Sequence, residues 1–443
     1  MRTRTLSRAL AAALFAVPLA AQDNTDLLNR LKAMEDRIKA LEAEVQSLKG
    51  PPATPAAPAQ QPPAVAPAPE PPQPVTLGGA GPAASKALNP DISVIGDFLG
   101  AAGNPANRPT PSLEMHETEV AFQEIIDPYA RADVFLSFGE HGVDLEEGYL
   151  TFTSLPAGLQ VKAGKMRAAF GKVNTLHNHV LPWTDRPLVT QDLVGGEDGI
   201  SDAGVSLSRL LPAPKGIFLE ATAQVYRGDS ETVFHAFQRS DLSTVEHLRA
   251  YADISESTNI DIGGSFARGK SPFAPEKWNQ LYGFDATLRW KPLRRAIYHS
   301  FVARTEFIWA RTQLTNPLLQ GPSQQQRPQR DPFFPLFAQI TPFGYYASGD
   351  YQFARRWFLG GRFDRSQRGA CQPTNPMTVN SCNQPFYSLV QDTGGSLIVT
   401  YWPSEFSQIR GQFRRTKYGD SFTTNELLFQ LQFSMGAHGA HPF

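Results

Sequence analysis

Residues 427–435 have the sequence LLFQLQFSM, in which large apolar side chains alternate with polar ones. Every second residue from Leu427 to Met435 is apolar. The polar residues between them are Gln430, Gln432 and Ser434. A period of two residues places the two sets on opposite faces of a β-strand. The stretch therefore predicts a strand with one apolar face and one polar face.

The same alternation recurs upstream, for example over residues 217–225, 247–254 and 282–290. Between residues 88 and 443 we identify sixteen candidate strands. Their approximate centres are Ile95, Val120, Val134, Leu150, Val161, Val205, Ala221, Ala250, Ile262, Ala286, Ala303, Ala347, Gly361, Val399, Gly411 and Leu431. Strands of about 10 residues cross the hydrocarbon core of a bilayer at the usual tilt. An even number is what a closed bacterial barrel of antiparallel strands requires.

The segments between the candidate strands alternate in length. Short turns are expected at residues 127–128, 155–158, 212–215, 255–258, 292–295, 355–356 and 403–406. Longer loops are expected at residues 103–115, 168–199, 228–244, 311–342 and 367–386. Short turns at one end and long loops at the other are typical of outer-membrane proteins. We therefore predict an all-β fold, a transmembrane antiparallel β-barrel of about sixteen strands in the bacterial outer membrane, with periplasmic termini.

A soluble β-sandwich also explains the alternation, because its apolar faces would be buried inside. A mean hydropathy of -0.30 and a charged fraction of 19% do not separate the two folds, since a membrane barrel averages its lipid-facing and lumen-facing residues. Aromatic residues near strand ends favour the barrel, because they are enriched at membrane interfaces. These residues are Trp290, Trp309, Trp357, Tyr401 and Trp402. A barrel of sixteen strands leaves an aqueous channel.

Three segments precede the predicted barrel. Residues 1–21 combine arginines, a short apolar stretch and small residues, which is the pattern of a signal peptide; an N-terminal membrane anchor is the alternative. Residues 22–49 have the apolar spacing of a periplasmic coiled-coil helix, with a helix on the membrane surface as the alternative. Residues 50–87 form a linker rich in proline and alanine. This linker would allow the coiled coil to contact the cell wall.

Charge and motifs exclude several classes of function. A net charge of -1 and a pI of about 6.8 give no support to nucleic-acid binding. The chain contains no Gly-x-Ser-x-Gly motif, and we predict neither an enzyme nor a cofactor. Cys371 and Cys382 lie close together in a loop, where a disulfide is expected in the oxidising periplasm. Two free thiols are the alternative.

One stretch of the predicted barrel carries recognisable short motifs. They are Gly164-Lys165-Met166, Phe170-Gly171 and Asp185-Arg186-Pro187. This stretch resembles the strand that leads into the third external loop of the phosphate-selective porins. The order of signal peptide, heptad helix, linker and barrel resembles the same family, and the terminal Phe443 resembles the assembly signal of outer-membrane proteins.

The resemblance implies an outer-membrane porin, surrounded by lipid, through which small hydrophilic solutes or anions diffuse passively. It also implies a homotrimer, whereas the heptad helix alone favours two chains. It gives no basis for a phosphate site, because no ladder of arginines can be aligned residue by residue.

Residues 168–199 are the third external loop by this strand count. In the porins that the chain resembles, this loop folds into the lumen and forms the constriction; an ordinary surface loop is the alternative. The candidates for the narrow ring are Lys172, His177, His179, Asp185, Arg186, Asp192, Glu197 and Asp198.

Basic residues are concentrated in the second half of the barrel, and six arginines are predicted on the lumen face. They are Arg249, Arg289, Arg304, Arg362, Arg410 and Arg414. A basic wall raises the local concentration of anions and favours their passage. Pairing with acidic residues such as Asp285, Glu306 and Asp364 is the alternative, and it would weaken that preference.

The two histidines of the third loop suggest a second hypothesis, because imidazole is a good ligand for zinc and other transition metals. His177 and His179 would lie on one side of an extended segment, and His438 and His441 lie near the terminus. Neither pair has a cysteine or carboxylate at close ligand spacing in the sequence. We therefore predict polar loop histidines and no metal site. A metal-uptake receptor is the second function considered, and an outer-membrane anchor tethered to the cell wall is the third.

Overall fold

The computed structural model describes residues 90–103, 111–140, 142–230, 232–315, 337–370, 388–419 and 422–436, together with Lys32 and Lys39. Lys32 and Lys39 are helical. The rest of the predicted coiled coil lies outside the described residues, as do the predicted signal peptide, the linker, the Cys371–Cys382 disulfide and the terminal histidines. No helix in the described part of the chain is long and apolar enough to cross a membrane.

The chain from Asp91 to Gly436 forms one antiparallel β-barrel. The strands are β1 (Asp91–Gly103), β2 (Leu113–Asp127), β3 (Ala130–Gly139), β4 (Gly142–Phe152), β5 (Leu159–Arg167), β6 (Ser201–Leu211), β7 (Ile217–Tyr226), β8 (Ser243–Ser255), β9 (Thr258–Ser271), β10 (Ala274–Trp290), β11 (Ser300–Thr315), β12 (Phe337–Ile340), β13 (Phe343–Ala354), β14 (Trp357–Ala370), β15 (Ser388–Ser404), β16 (Ser407–Lys417) and β17 (Thr423–Gly436). Strand β1 pairs with both β2 and β17, which closes the sheet. Strand β12 pairs with β11 beside the ring, in which β11 pairs with β13, so the ring has sixteen strands.

Each of the sixteen predicted strand centres lies within a strand of the ring, which confirms the predicted barrel. The prediction of a loop over residues 311–342 is wrong at both ends. Strand β11 continues to Thr315, where it pairs with the extra strand β12. A segment of four residues is too short to show a periodic signal in the sequence.

The two ends of the barrel differ in their connections. At one end, where β1 begins and β17 ends, the connections are residues 128–129, 153–158, 212–216, 256–257, 291–299, 355–356 and 405–406. At the other end, residues 168–200 and 227–242 join β5 to β6 and β7 to β8. At this same end, residues 272–273 form a short turn between β9 and β10, so the predicted alternation of short turns and long loops is confirmed only in part in the described chain.

On the barrel wall, apolar side chains face outwards and polar side chains face inwards, which is the reverse of the arrangement in soluble proteins. On β17, Leu427 and Phe429 are 57% and 41% exposed, whereas Gln430 is 1% exposed. On β15, Leu397 is 57% exposed, whereas Asp392 is fully buried. An exposed apolar surface that encircles the barrel fits contact with lipid. The polar residues face the barrel interior.

Aromatic side chains cluster on the outer face near both ends of the barrel. Trp309 stacks on Phe343 towards the long connections, with ring centroids 4.9 Å apart. Trp357 stacks on Tyr401 beside the short turns, with ring centroids 4.5 Å apart. Such belts mark the two membrane–water interfaces.

The lipid-facing surface predicts a depth-dependent effect of charge. Leu397 lies near the middle of β15 and Leu389 near its beginning. We expect Leu397→Arg to destabilise the barrel by about 2–4 kcal/mol and Leu389→Arg by about 0–1 kcal/mol, because arginine is most unfavourable at the bilayer midplane. Denaturant unfolding in lipid vesicles measures both free energies. Equal and small effects for the two variants would contradict a lipid-facing β15.

Candidate functional site

Residues 168–199, which we call the inner loop, connect β5 to β6 and lie inside the barrel. The inner loop contains two single-turn 3-10 helices, Val173–Thr175 and Asn178–Val180, and one six-residue helix, α1 (Leu188–Leu193). Trp183 is only 1% exposed. The apolar side chains of the inner loop are covered by the barrel wall, and their burial favours this position.

Asn174 fixes the two ends of the inner loop to each other. Its Nδ2 donates to the carbonyls of Ala168 (2.9 Å) and Ile200 (3.1 Å), and its Oδ1 accepts the N–H of Ile200 at 2.8 Å. Gly199 has a positive φ of 61° and packs against Asn174 without room for a side chain. The base of the inner loop is therefore closed by a buried amide.

The first turn of the inner loop is held by strands β9 and β11. Glu306 Oε1 accepts the N–H groups of Lys172 (3.1 Å) and Val173 (2.7 Å). The N–H of Gly171 donates to Ser265 Oγ at 2.9 Å. Gly171 also has a positive φ of 61° and lies against Glu306.

Asp185 holds the middle of the inner loop against β14 and β16. Its Oδ2 accepts hydrogen bonds from Arg362 (2.9 Å) and Arg414 (2.7 Å), and its Oδ1 accepts one from Gln412 (2.5 Å). Burial alone would raise the pKa of Asp185, but the two arginines lower it to about 2. Because this pKa lies below its ordinary value of 3.8, the stabilisation is complete above pH 3.8 and is lost as the pH falls towards 2.

His177 and His179 hold the inner loop against β2 and β4. His177 Nδ1 lies 2.5 Å from Glu119 Oε2 and 3.2 Å from Glu146 Oε2, and its Nε2 lies 2.9 Å from Glu147 Oε2. His179 Nδ1 lies 3.6 Å from Glu119 Oε2. Burial alone would lower the pKa of His177, but the hydrogen bonds with Glu119 and Glu147 raise it to about 10. The two loop histidines are therefore buried among carboxylates of the barrel wall.

Two β-bulges bring further residues to this side of the interior. The register of β1 and β2 shifts after Asp97, which leaves His116 as an extra residue on β2. The register of β3 and β4 shifts after Phe135, which leaves Glu146 as an extra residue on β4. A bulge can re-aim a side chain in this way. His116 Nδ1 lies 3.7 Å from Asp97 Oδ2, and its Nε2 lies 3.4 Å from Glu197 Oε2.

Trp183 is central to the apolar contact between the inner loop and the wall. Its ring meets that of Tyr346 edge-on, with centroids 5.1 Å apart, and the guanidinium carbon of Arg362 lies 5.0 Å from the ring centroid. The inner loop thus contacts β2, β4, β9, β11, β13, β14 and β16 through the residues described above. It therefore crosses the barrel interior.

The remaining predicted ring residues lie in different settings. Lys172 Nζ is 3.6 Å from Asp261 Oδ2 of the wall. Arg186 donates to the carbonyls of Val173 and Leu176 and to Asn178 Oδ1, so it stabilises the inner loop itself.

A cavity of about 1080 Å³ lies at the end of the barrel with the long connections, and we call it the outer cavity. Asp192 and Glu197 of the predicted ring line the outer cavity, together with Asp185 and Arg186. The backbone carbonyls of Glu197 and Asp198 accept hydrogen bonds from Arg167 Nη1 at 2.8 and 3.3 Å.

The six predicted lumen arginines lie on the inner face, and five of them are close to carboxylates. The pairs are Arg249 with Asp261 (2.7 Å), Arg289 with Asp261 (3.8 Å), Arg304 with Asp350 (2.5 Å), Arg362 with Asp364 (2.7 Å) and Arg414 with Glu426 (2.7 Å). Arg410 instead donates to Gln430 Oε1 at 2.6 Å and Thr400 Oγ1 at 3.3 Å. Of the acidic partners considered from the sequence, Asp364 pairs with an arginine, whereas Glu306 binds the inner loop.

The groups around the loop histidines are not apparent from the sequence. They are Asp97, His116, Glu117, Glu119, Glu146 and Glu147. A signal for two of them exists, because Glu117 and Glu119 are two residues apart and lie on one face of β2. The bulged residues carry no comparable signal, since a bulge interrupts the alternation.

Comparison with known proteins finds likeness in sequence and in fold. No protein-family model matches the chain. An uncharacterized protein of Aquifex aeolicus (strain VF5) is 27% identical over 419 residues, which cover 82% of this chain and 81% of that protein.

Three solved structures illustrate the likeness in fold. The anion-selective porin from Comamonas acidovorans has a TM-score of 0.49 at 9% identity, covering 78% of this chain and 98% of that one. The outer membrane channel DcaP of Acinetobacter baumannii has a TM-score of 0.47 at 12% identity, covering 78% and 96%. OprB of Pseudomonas putida has a TM-score of 0.46 at 8% identity, covering 80% and 95%. At these identities the likeness extends to the fold alone.

Proposed function

We propose that the chain is an outer-membrane channel through which small hydrophilic solutes diffuse passively. The observation that carries the proposal is the polarity of the wall, with apolar side chains outside and polar or charged side chains inside a closed ring of sixteen strands. A ring of this size encloses an aqueous channel. The groups that line such a channel decide what passes.

The passage runs beside the inner loop, along strands β8 to β10. Three basic side chains there remain partly open to the interior: Arg249 is 37% exposed, Lys172 is 22% exposed and Arg289 is 20% exposed. All three lie within 4.0 Å of the same carboxylate, Asp261. The inner loop occupies part of the lumen, so larger solutes are excluded from the part of the channel that stays open.

A mild preference for anions follows from the same residues. Lys172, Arg249 and Arg289 carry three positive charges around Asp261, and Asp285 and Glu220 lie close enough to Lys172 or Arg249 to offset part of that charge. The preference is mild because five of the six lumen arginines have a carboxylate partner, which weakens the attraction of the wall for anions. The homotrimer, the cell-wall contact of residues 22–49 and membership of the phosphate-selective porins stay predictions.

Swelling of proteoliposomes tests the proposed function. We expect vesicles that contain the refolded protein to swell quickly in an isosmotic pentose and much more slowly in a tetrasaccharide, because the inner loop narrows the lumen. Protein-free vesicles and vesicles with heat-unfolded protein are the controls. If folded protein, identified by its heat-modifiable gel mobility, admits neither sugar, the proposed channel is wrong.

A further inference from the structure

The contact between the inner loop and strands β2 and β4 brings together more ligand groups than a simple docking contact needs. We call His177, His179, Glu117, Glu119 and Glu146 the histidine–glutamate cluster. Glu119, His177 and His179 are buried, and one nitrogen or oxygen atom from each lies within 4.8 Å of the other two. The inner loop supplies the histidines, and strands β2 and β4 of the barrel wall supply the carboxylates.

We propose that the histidine–glutamate cluster is a binding site for a divalent transition-metal cation, of which Zn²⁺ is the representative. This inference goes beyond passive diffusion, because it gives the wall of the channel a specific ligand. Imidazole nitrogen and carboxylate oxygen together suit such cations, whereas Mg²⁺ prefers oxygen and water alone.

Three of the separations between the candidate ligand atoms are close to those of a tetrahedral site. His177 Nδ1 is 3.2 Å from Glu146 Oε2, and His179 Nδ1 is 3.4 Å from Glu117 Oε1 and 3.6 Å from Glu119 Oε2. Ligands about 2.0–2.2 Å from a tetrahedral zinc ion are about 3.3–3.6 Å from one another. The 2.5 Å contact between His177 and Glu119 must lengthen. A small rotation of the glutamate side chain accomplishes this.

Further contacts orient His177 as they would in a metal site. Its Nε2 lies 2.9 Å from Glu147 Oε2, which leaves Nδ1 facing the other carboxylates. Metal-binding histidines commonly donate their second ring N–H to a carboxylate in this way. Glu147 is itself held by the backbone N–H of Arg167 at 2.7 Å.

The charge of the region also favours a cation. Four carboxylates surround the two imidazoles: Glu117, Glu119, Glu146 and Glu147. Arg167 pairs with Glu146 at 3.2 Å, and Arg186 lies nearby but donates its described hydrogen bonds within the inner loop. Buried carboxylates without compensation are strongly unfavourable. A divalent cation supplies two positive charges to these carboxylates, and its binding displaces the proton from the coordinating nitrogen of His177.

A second group of possible ligands connects this site with solvent. Asp97, His116 and Glu117 offer ligand atoms that also lie within 4.8 Å of one another. His116 and Glu197 line the outer cavity. Glu117 belongs to both groups, so a cation that enters from the outer cavity meets His116 first and reaches His179 through Glu117.

Calorimetric titration of the refolded, untagged protein with ZnCl₂ tests the site. We expect wild-type protein to bind Zn²⁺ and not Mg²⁺, and to give the intense visible absorption of tetrahedral Co²⁺ when CoCl₂ is used. His179→Gln should weaken Zn²⁺ binding by more than about 100-fold, because loss of outer partners alone weakens metal sites by about 10–100-fold. Glu119→Gln is the second variant, and heat-modifiable mobility verifies that each is folded.

Two control variants separate this site from other histidines. His299→Gln changes a histidine beside Tyr351 at the short-turn end, and the double variant His438→Gln/His441→Gln removes the pair near the terminus. Both should bind Zn²⁺ as the wild type does. Wild-type affinity in His179→Gln and Glu119→Gln, no binding by folded wild-type protein, or loss of binding in the terminal double variant would overturn the proposal. Each result is independent of sugar permeation measured without metal.

Discussion

Replacing Asp185 with asparagine is expected to shift the channel towards anions and to loosen the inner loop. The carboxylate accepts hydrogen bonds from Arg362 and Arg414, both of which remain positively charged in the variant. Asp185 lines the outer cavity. In water, a unit charge about 8 Å from an ion in this cavity stabilises a cation and destabilises an anion by about 0.5 kcal/mol each, so its loss should change the anion-to-cation permeability ratio by about five-fold. The reversal potential under a salt gradient measures this ratio.

The same substitution should weaken the docking of the inner loop by about 3 kcal/mol, because breaking a buried ion pair usually costs about 3–5 kcal/mol. The lower end applies, since Arg362 keeps Asp364 and Arg414 keeps Glu426. Asp133→Asn is the matched control: it removes a carboxylate from the inner wall whose partners are Arg131 and Gln123. Equal effects of Asp185→Asn and Asp133→Asn on conductance would show that Asp185 does not hold the inner loop.

Replacing Trp183 with alanine is expected to give the largest rise in conductance. The indole is 1% exposed and packs between Tyr346 and Arg362. Its truncation should cost about 3–5 kcal/mol of packing free energy. The barrel keeps its backbone hydrogen bonds, so the lost packing energy destabilises the docked position of the inner loop. We expect the inner loop to detach from the wall for part of the time. We expect larger and noisier single-channel currents in planar bilayers.

Trp309→Ala is the matched control for this prediction. Trp309 is 45% exposed on the outer face and stacks on Phe343, so its truncation removes the same side chain without touching the inner loop. The current through Trp309→Ala should equal that of the wild type. A wild-type current in Trp183→Ala as well would mean that the inner loop does not limit conduction.

The strands of the barrel could be predicted because their signal is local. Each strand that separates lipid from the interior repeats a two-residue pattern, as residues 427–435 do, and no knowledge of its partners is needed. Strand β12 has four residues and lies beside the ring. Four residues are too few for a two-residue alternation to stand out, and so the pattern that identifies the other strands is missing.

The inner loop could be placed only by resemblance, and its contacts could not be predicted at all. The alternation in the sequence predicts that Arg362 and Arg414 face the lumen. Their common partner Asp185, however, is 177 residues from Arg362 and 229 residues from Arg414 along the chain. Such a pair depends on the register of the whole barrel. The charges along a single strand do not reveal which distant residue each of them pairs with.

The histidine–glutamate cluster could not be predicted from the sequence either, because its residues are far apart along the chain. His177 and His179 are visible in the sequence, yet the carboxylates that surround them come from β2 and β4. Glu146 reaches the cluster because a bulge breaks the alternation at that residue. A search for ligands at close spacing along the chain therefore misses a site that is assembled across three segments.

Single-channel recording of the refolded wild-type protein in a planar bilayer tests the central claim most directly. We expect discrete current steps of small, steady conductance with mild anion selectivity, because the ring of sixteen strands encloses water and the inner loop narrows it. Protein that is folded by its heat-modifiable mobility and yet gives no current steps would contradict a channel. Steps as large as those of Trp183→Ala would contradict a constriction by the inner loop.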